Sequence, residues 1–154
     1  MAQAGAAKTG GGRRSAQGAG LMLVRVMLGV FLFFHGVERL SWLLDSGPLA
    51  SRLAHWLETA TPASRWYLER ILPGTPVFAR LVPLGALSAG LALFLGFWTR
   101  LAAGLAFLMV LNFHIAGGGI FRYSFLTDAT GLPVLGALLG LAIGGGRLPL
   151  SVGE

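Results

Sequence analysis

Residues 21–44 read LMLVRVMLGVFLFFHGVERLSWLL. Within them, residues 26–34 are unbroken apolar sequence. The stretch is long enough to cross the ~30 Å hydrocarbon core of a bilayer as a helix. Arg25 lies one turn in, where a long side chain can snorkel to the headgroups. His35, Glu38 and Arg39 mark the far end, and Trp42 suits an interfacial aromatic belt. A first transmembrane span over residues 21–44 follows, and the rest of the chain reads in the same terms.

Composition agrees. Of 154 residues, 55% are apolar and only 12% charged, where a soluble domain carries roughly a quarter charged residues. There are too few charges to coat a water-facing surface. The chain has no cysteine, which excludes disulfides, thiolate metal sites, iron–sulfur ligation and a CxxC redox pair. No metal site is expected. The net charge of +6 comes from Lys8 and arginines spread along the chain, most beside apolar runs. Membrane topology explains that spread better than nucleic-acid binding.

Residues 1–20 are rich in Gly, Ala and Gln, carry Lys8, Arg13 and Arg14, and show no apolar periodicity. They read as a disordered basic tail ahead of a single membrane domain over 21–151. No small-x-small cleavage site follows the first apolar run, so it reads as an uncleaved span. Residues 46–76 are amphipathic. Leu49, Leu53, Trp56, Leu57 and Ala60 recur at helical spacing opposite Arg52, His55 and Glu58. Thr61-Pro62 looks like a helix N-cap with proline in the first turn. Short interfacial helices, or a cap packed over the bundle, account equally well for this region. Further spans follow over about 77–97, 101–115 and 130–144, with Trp98-Thr99-Arg100 as a tight polar reversal and Pro133 in the first turn of the last span. The expected fold is all-α: a four-span membrane bundle with short amphipathic helices between spans one and two.

Four spans put both termini on one side. Six basic residues fall on each side of the membrane, so the Lys/Arg count alone is tied. The basic tail and the short reversal at Arg100 favour a cytoplasmic location for both ends. Arg25, Arg100 and Arg147 then lie near the inner face as anchors. Gly136, Gly140 and Gly144, and likewise Ala86 and Gly90, form small-xxx-small stripes expected to serve packing within the bundle.

Several local patterns, in order, resemble the DoxX/DoxD family of small bacterial membrane proteins. They are Arg25-x-x-x-Gly29 with Phe34-His35-Gly36-Val37-Glu38-Arg39-Leu40, then Phe78-Ala79-Arg80-Leu81-Val82 with Gly90 and Leu95-Gly96-Phe97-Trp98-Thr99-Arg100. Met109-Val110-Leu111-Asn112-Phe113 and Gly144-Gly145-Gly146-Arg147-Leu148 follow. The resemblance covers nearly the whole chain outside the tail. It implies a four-helix membrane fold and an association with quinone-linked oxidoreductases, of which the DoxD-like thiosulfate:quinone oxidoreductase membrane subunit is one type. The chain departs from the pattern at Ala86, where the family commonly has a glutamate. It departs again at Pro149-Leu150-Ser151, where an aspartate is usual.

Helical rise sets depth. Ala86 and His114 each lie fourteen residues from Arg100, and His35 the same distance from Leu21. Each is therefore about 21 Å from the inner surface. His35, Ala86 and His114 share a layer, with Glu38, Arg39 and Asn112 close to it. Intramembrane polar residues are costly and point to function. Neutral His and Asn can hydrogen-bond quinone carbonyls, and His can pass a proton. His35, Glu38, Arg39, Asn112 and His114 are the candidate quinone or ligand site. The plainer alternative pairs them with one another at the water interface, His35 with Glu38 or Arg39. Haem ligation by His35 and His114 has no further signature behind it. Two functional expectations stand. One is a membrane subunit of a quinone-linked oxidoreductase working with a soluble partner on the outer face. The other is a non-catalytic subunit that anchors a larger membrane complex.

Overall fold

The computed structural model describes the backbone at residues 4–146 and 148, and the side chains at 16–120, 122–146 and 148. Arg147 and residues 149–154 lie outside the described residues, as do the side chains of Lys8, Arg13 and Arg14. All described regular structure is helical. Helix α1 spans Ala4–Val37, and a 3₁₀ turn Leu40–Leu43 follows it. Helices α2 (Gly47–Glu58) and α3 (Pro62–Ile71) lead through a second 3₁₀ turn into α4 (Thr75–Leu95). Helix α5 (Thr99–Ala116), a short α6 (Ser124–Thr127) and α7 (Leu132–Gly144) follow.

Three helical stretches are long and apolar enough to cross a membrane: Ala16–Val37, Pro62–Leu95 and Thr99–Ala116. Helix α7 is apolar but has only 13 residues. At the helical rise that is about 20 Å, short of the ~30 Å core.

Several boundaries differ from expectation, each for a local reason. The first helix stops at Val37, not residue 44. Its backbone tightens through Arg39 N→Gly36 O at 3.1 Å, and the Arg39 guanidinium caps the end by donating to His35 O at 2.8 Å. The following 3₁₀ turn buries Trp42. At its other end, α1 is helical from Ala4, through the stretch expected as a tail. Extending a formed helix through Ala- and Gln-containing sequence needs no new nucleus. The reversal between α4 and α5 sits at 96–98. Gly96 takes the left-handed conformation (φ 73°) and Phe97 N donates to Ala92 O at 2.8 Å, which closes the helix. Trp98 is also left-handed (φ 45°), so Thr99 and Arg100 already belong to α5. The expected N-cap at Thr61 is present: its hydroxyl accepts from Ser64 N at 3.4 Å.

The four longest apolar elements close into a ring. Helix α1 packs most extensively on α4, α5 on α7, and the α4–α5 and α1–α7 seams complete it. Leu28, Leu32, Leu93, Ala103, Leu138 and Leu141 are buried at the centre. A second cluster lies at one end, where Leu49 and Leu53 of α2 and Leu68 of α3 pack on Trp42, Ala79, Val82 and Ala116. The buried apolar residues of both amphipathic helices thus pack on the bundle, while Trp66 of α3 stays exposed. Outward-facing residues such as Met27, Leu84, Leu105 and Ile143 are exposed and apolar, the surface that a lipid environment solvates.

Candidate functional site

A cavity of about 300 Å³ opens between α1, α5 and α7 beneath α2. Phe31 and His35 of α1, Met109, Val110, Phe113 and His114 of α5, and Val134 of α7 form its body. Val82 of α4 closes one wall. Arg39, Arg52 and Trp56 stand on one side, and Asp128 and Thr130 on the other. Its size falls at the lower end of small-molecule pockets, and its mixture of apolar walls and a few polar groups is typical of them.

Each polar side chain is held. The His35 ring stacks on Phe31 with centroids 5.4 Å apart. His114 lies edge-on to Phe125 at 5.1 Å, and its Nε2 is 3.1 Å from Thr130 O. A carbonyl only accepts, so Nε2 carries the proton and Nδ1 of the neutral ring is left as an acceptor. Thr130 owes its place to Asp128, whose Oδ1 accepts from Thr130 N and Thr130 Oγ1, both at 2.8 Å. Those two bonds, the backbone one foremost, hold the Asp128 carboxyl below its ordinary 3.8. Arg39 and Arg52 both stand over the Trp42 ring, at 5.4 and 5.5 Å from its centre.

Three of the five candidate residues, His35, Arg39 and His114, line this one cavity. Glu38 does not. Its side chain is 74% exposed and reaches Arg39 only at 3.9 Å from the outside. Asn112 does not either: it accepts a hydrogen bond from the Tyr67 hydroxyl and lies with the α2 cluster. Ala86 is fully buried but is not part of the cavity lining, whose α4 wall is Val82. Sequence periodicity alone did not indicate Arg52, Trp56, Asp128 and Thr130. The amphipathic face carrying Arg52 is visible in the sequence, but not where it folds.

The anchors also separate. Arg25 is only 2% exposed, so its side chain is taken up inside the protein and does not snorkel outward. Arg100 is exposed and its Nε donates to Ala142 O at 3.1 Å, tying the start of α5 to the end of α7. A second, apolar recess of about 450 Å³ runs between α4 and α5 from Gly85 and Met109 down to Phe97 and Trp98. Met109 lines both spaces, and so forms the wall between them.

The DoxX family model matches residues 20–117, more than half of the chain. No curated protein and no solved structure matches it. Family and long apolar helices together make this a multi-pass membrane protein.

Proposed function

The chain belongs to the DoxX family, and from that premise we propose that its bundle binds the headgroup of a lipid-soluble quinone between His35 and His114. In this role it is a membrane subunit of a quinone-linked oxidoreductase, with a soluble redox partner at the outer face. The DoxD-like subtype is one form such a subunit takes. The observation that carries the reading is that two histidines from non-adjacent helices line one cavity with aromatic walls. A quinone supplies reversible two-electron chemistry when bound. The residues here supply the rest. Phe31 and Phe113 would wall the sides, the arginine guanidiniums would donate to a ring oxygen, and His114 Nδ1 would accept a hydrogen bond from the hydroxyl that the ring carries once reduced. The α4–α5 recess beyond Met109 offers an apolar path for a tail.

In this reading α7 is a fourth, short span, α2 and α3 lie at the outer surface, and both termini are cytoplasmic in a bacterial inner membrane. Protein purified in mild detergent should retain extractable quinone, and His35→Ala with His114→Ala should lose it. Absence of quinone from native preparations argues against the site.

One observation favours a second reading, a non-catalytic subunit that anchors a larger membrane complex. Gly136 and Gly140 were expected to pack inside the bundle, yet a Cβ on either would meet nothing within 4 Å. They lie beside exposed Leu132, Leu139 and Ile143. A stripe of that kind lets a foreign helix approach closely. Gly136→Leu with Gly140→Leu should release co-purifying membrane subunits if this reading holds, and leave them bound if it does not.

A further inference from the structure

The cavity holds two arginines whose charge the protein leaves largely uncompensated. Arg39 comes from the turn after α1 and Arg52 from α2. Both are steered to the same place by the buried Trp42 ring. The nearby carboxylates do little to neutralise them. Glu38 approaches Arg39 at 3.9 Å but is turned to solvent. Asp128 lines the other side of the cavity with its Oδ1 accepting from the Thr130 amide and hydroxyl; it keeps its negative charge but lies beyond salt-bridge distance of both arginines. Among the described residues no carboxylate lies within the 4.0 Å salt-bridge distance of Arg52. With Glu38 turned to solvent and Asp128 on the far side, the two guanidiniums leave the Arg39–Arg52 side of the cavity with a positive field, and its apolar walls concentrate that field.

We propose that this cavity selects a headgroup that is an anion at neutral pH, a flat ring carrying an ionised oxygen that faces Arg39 and Arg52. The inference rests on the ring-binding reading above and adds the charge. A neutral ring would be held by ordinary hydrogen bonds. An ionised oxygen gains charge-assisted ones, which are shorter and about twice as strong. The aromatic wall receives the ring in both cases, so charge alone separates the two ligands. Arg52 is the cleaner handle, because Arg39 also caps α1 through His35 O.

The test uses the full chain in nanodiscs of uncharged phospholipid. Trp66→Phe and Trp98→Phe leave Trp42 and Trp56 as the fluorescent reporters. The probes are 2-methyl-1,4-naphthoquinone, which is neutral, and 2-hydroxy-1,4-naphthoquinone, whose acidic enol is ionised at pH 7. Affinities are corrected for partition into empty discs. The hydroxy probe should bind about tenfold more tightly. Arg52→Gln should erase that preference by weakening the hydroxy probe much more than the neutral one, and Arg52→Lys should restore part of it. Equal affinity for both probes in the native chain overturns the charge selection and leaves the ring site standing. An undiminished preference in Arg52→Gln overturns the assignment to this arginine. Binding of neither probe overturns the ring site itself.

Discussion

Gly90 meets Gly29 backbone to backbone: a Cβ on Gly90 would stand 2.9 Å from Gly29 O and 2.5 Å from Phe33 N. The reciprocal Cβ on Gly29 would lie 2.7 Å from Phe94 N. Farther along the crossing, Gly36 faces the Leu87 amide at 2.9 Å in the same sense. The α1–α4 seam is the largest among the described residues because glycine lets the two backbones touch. It also sets where His35 falls, since His35 lies beside Gly36 on the same helix.

Any side chain at this crossing must push the helices apart. Gly90→Ala should destabilise the protein by about 1–3 kcal/mol, the usual cost of overpacking. Gly136→Ala, with nothing within 4 Å of its Cβ, should be neutral or slightly stabilising through helix propensity. Thermal unfolding in detergent reads both. Equal losses at the two positions would contradict the packing described.

Tyr67 and Asn112 join α3 to α5 by one side-chain hydrogen bond. Tyr67→Phe removes the donor and leaves a half-buried amide short of a partner, at a net cost of about 1 kcal/mol. A double-mutant cycle with Asn112→Leu should show coupling of similar size, because the second substitution removes a partner already lost. Additive losses would mean the two side chains act separately.

The Asp128–Thr130 turn makes a pH prediction. The Asp128 carboxyl is held below its ordinary 3.8 by the Thr130 amide and hydroxyl. A group depressed by folding contributes stability above its unfolded value and loses it as pH falls through the folded one. The stability gap between native protein and Asp128→Asn should therefore be constant from pH 7 to 5 and close only below the usual carboxylate range. A gap that closes near pH 6 would assign the effect to a histidine instead.

Much of this architecture was legible in sequence, and the gaps have physical causes. His35 and His114 could be placed at one depth because helical rise is fixed and the spans are nearly unbroken. Thr61 was readable as a cap because a hydroxyl before proline has few other uses at a helix start. Arg52 was not readable as a cavity residue. Periodicity assigns it to the polar face of an amphipathic helix, but not to the part of the bundle that helix covers. Glu38 shows the converse: it neighbours Arg39 in sequence, yet its backbone turns out of the helix there and the carboxylate leaves the site. Gly136, Gly140 and Gly90 look alike as sequence, and only the crossing geometry tells the packed glycine from the exposed ones.

Orientation can be measured directly because the chain contains no cysteine. A single introduced thiol is then the sole target of a membrane-impermeant maleimide. Glu58→Cys, at the end of α2, should label in intact cells, and Ser15→Cys, ahead of the first apolar stretch, should label only after the cells are opened. The reverse pattern would invert the proposed topology. Labelling of both in intact cells would break the helix count on which it rests.

The space between His35 and His114 is proposed to receive a quinone headgroup. An azido-substituted quinone, photolysed with the full chain in nanodiscs and mapped by peptide mass spectrometry, tests this most directly. Label should concentrate near His35, Trp56 and His114, and be lost when unmodified quinone competes. Label spread along lipid-facing positions such as Leu84, Leu91 and Leu105, and indifferent to competition, would contradict it.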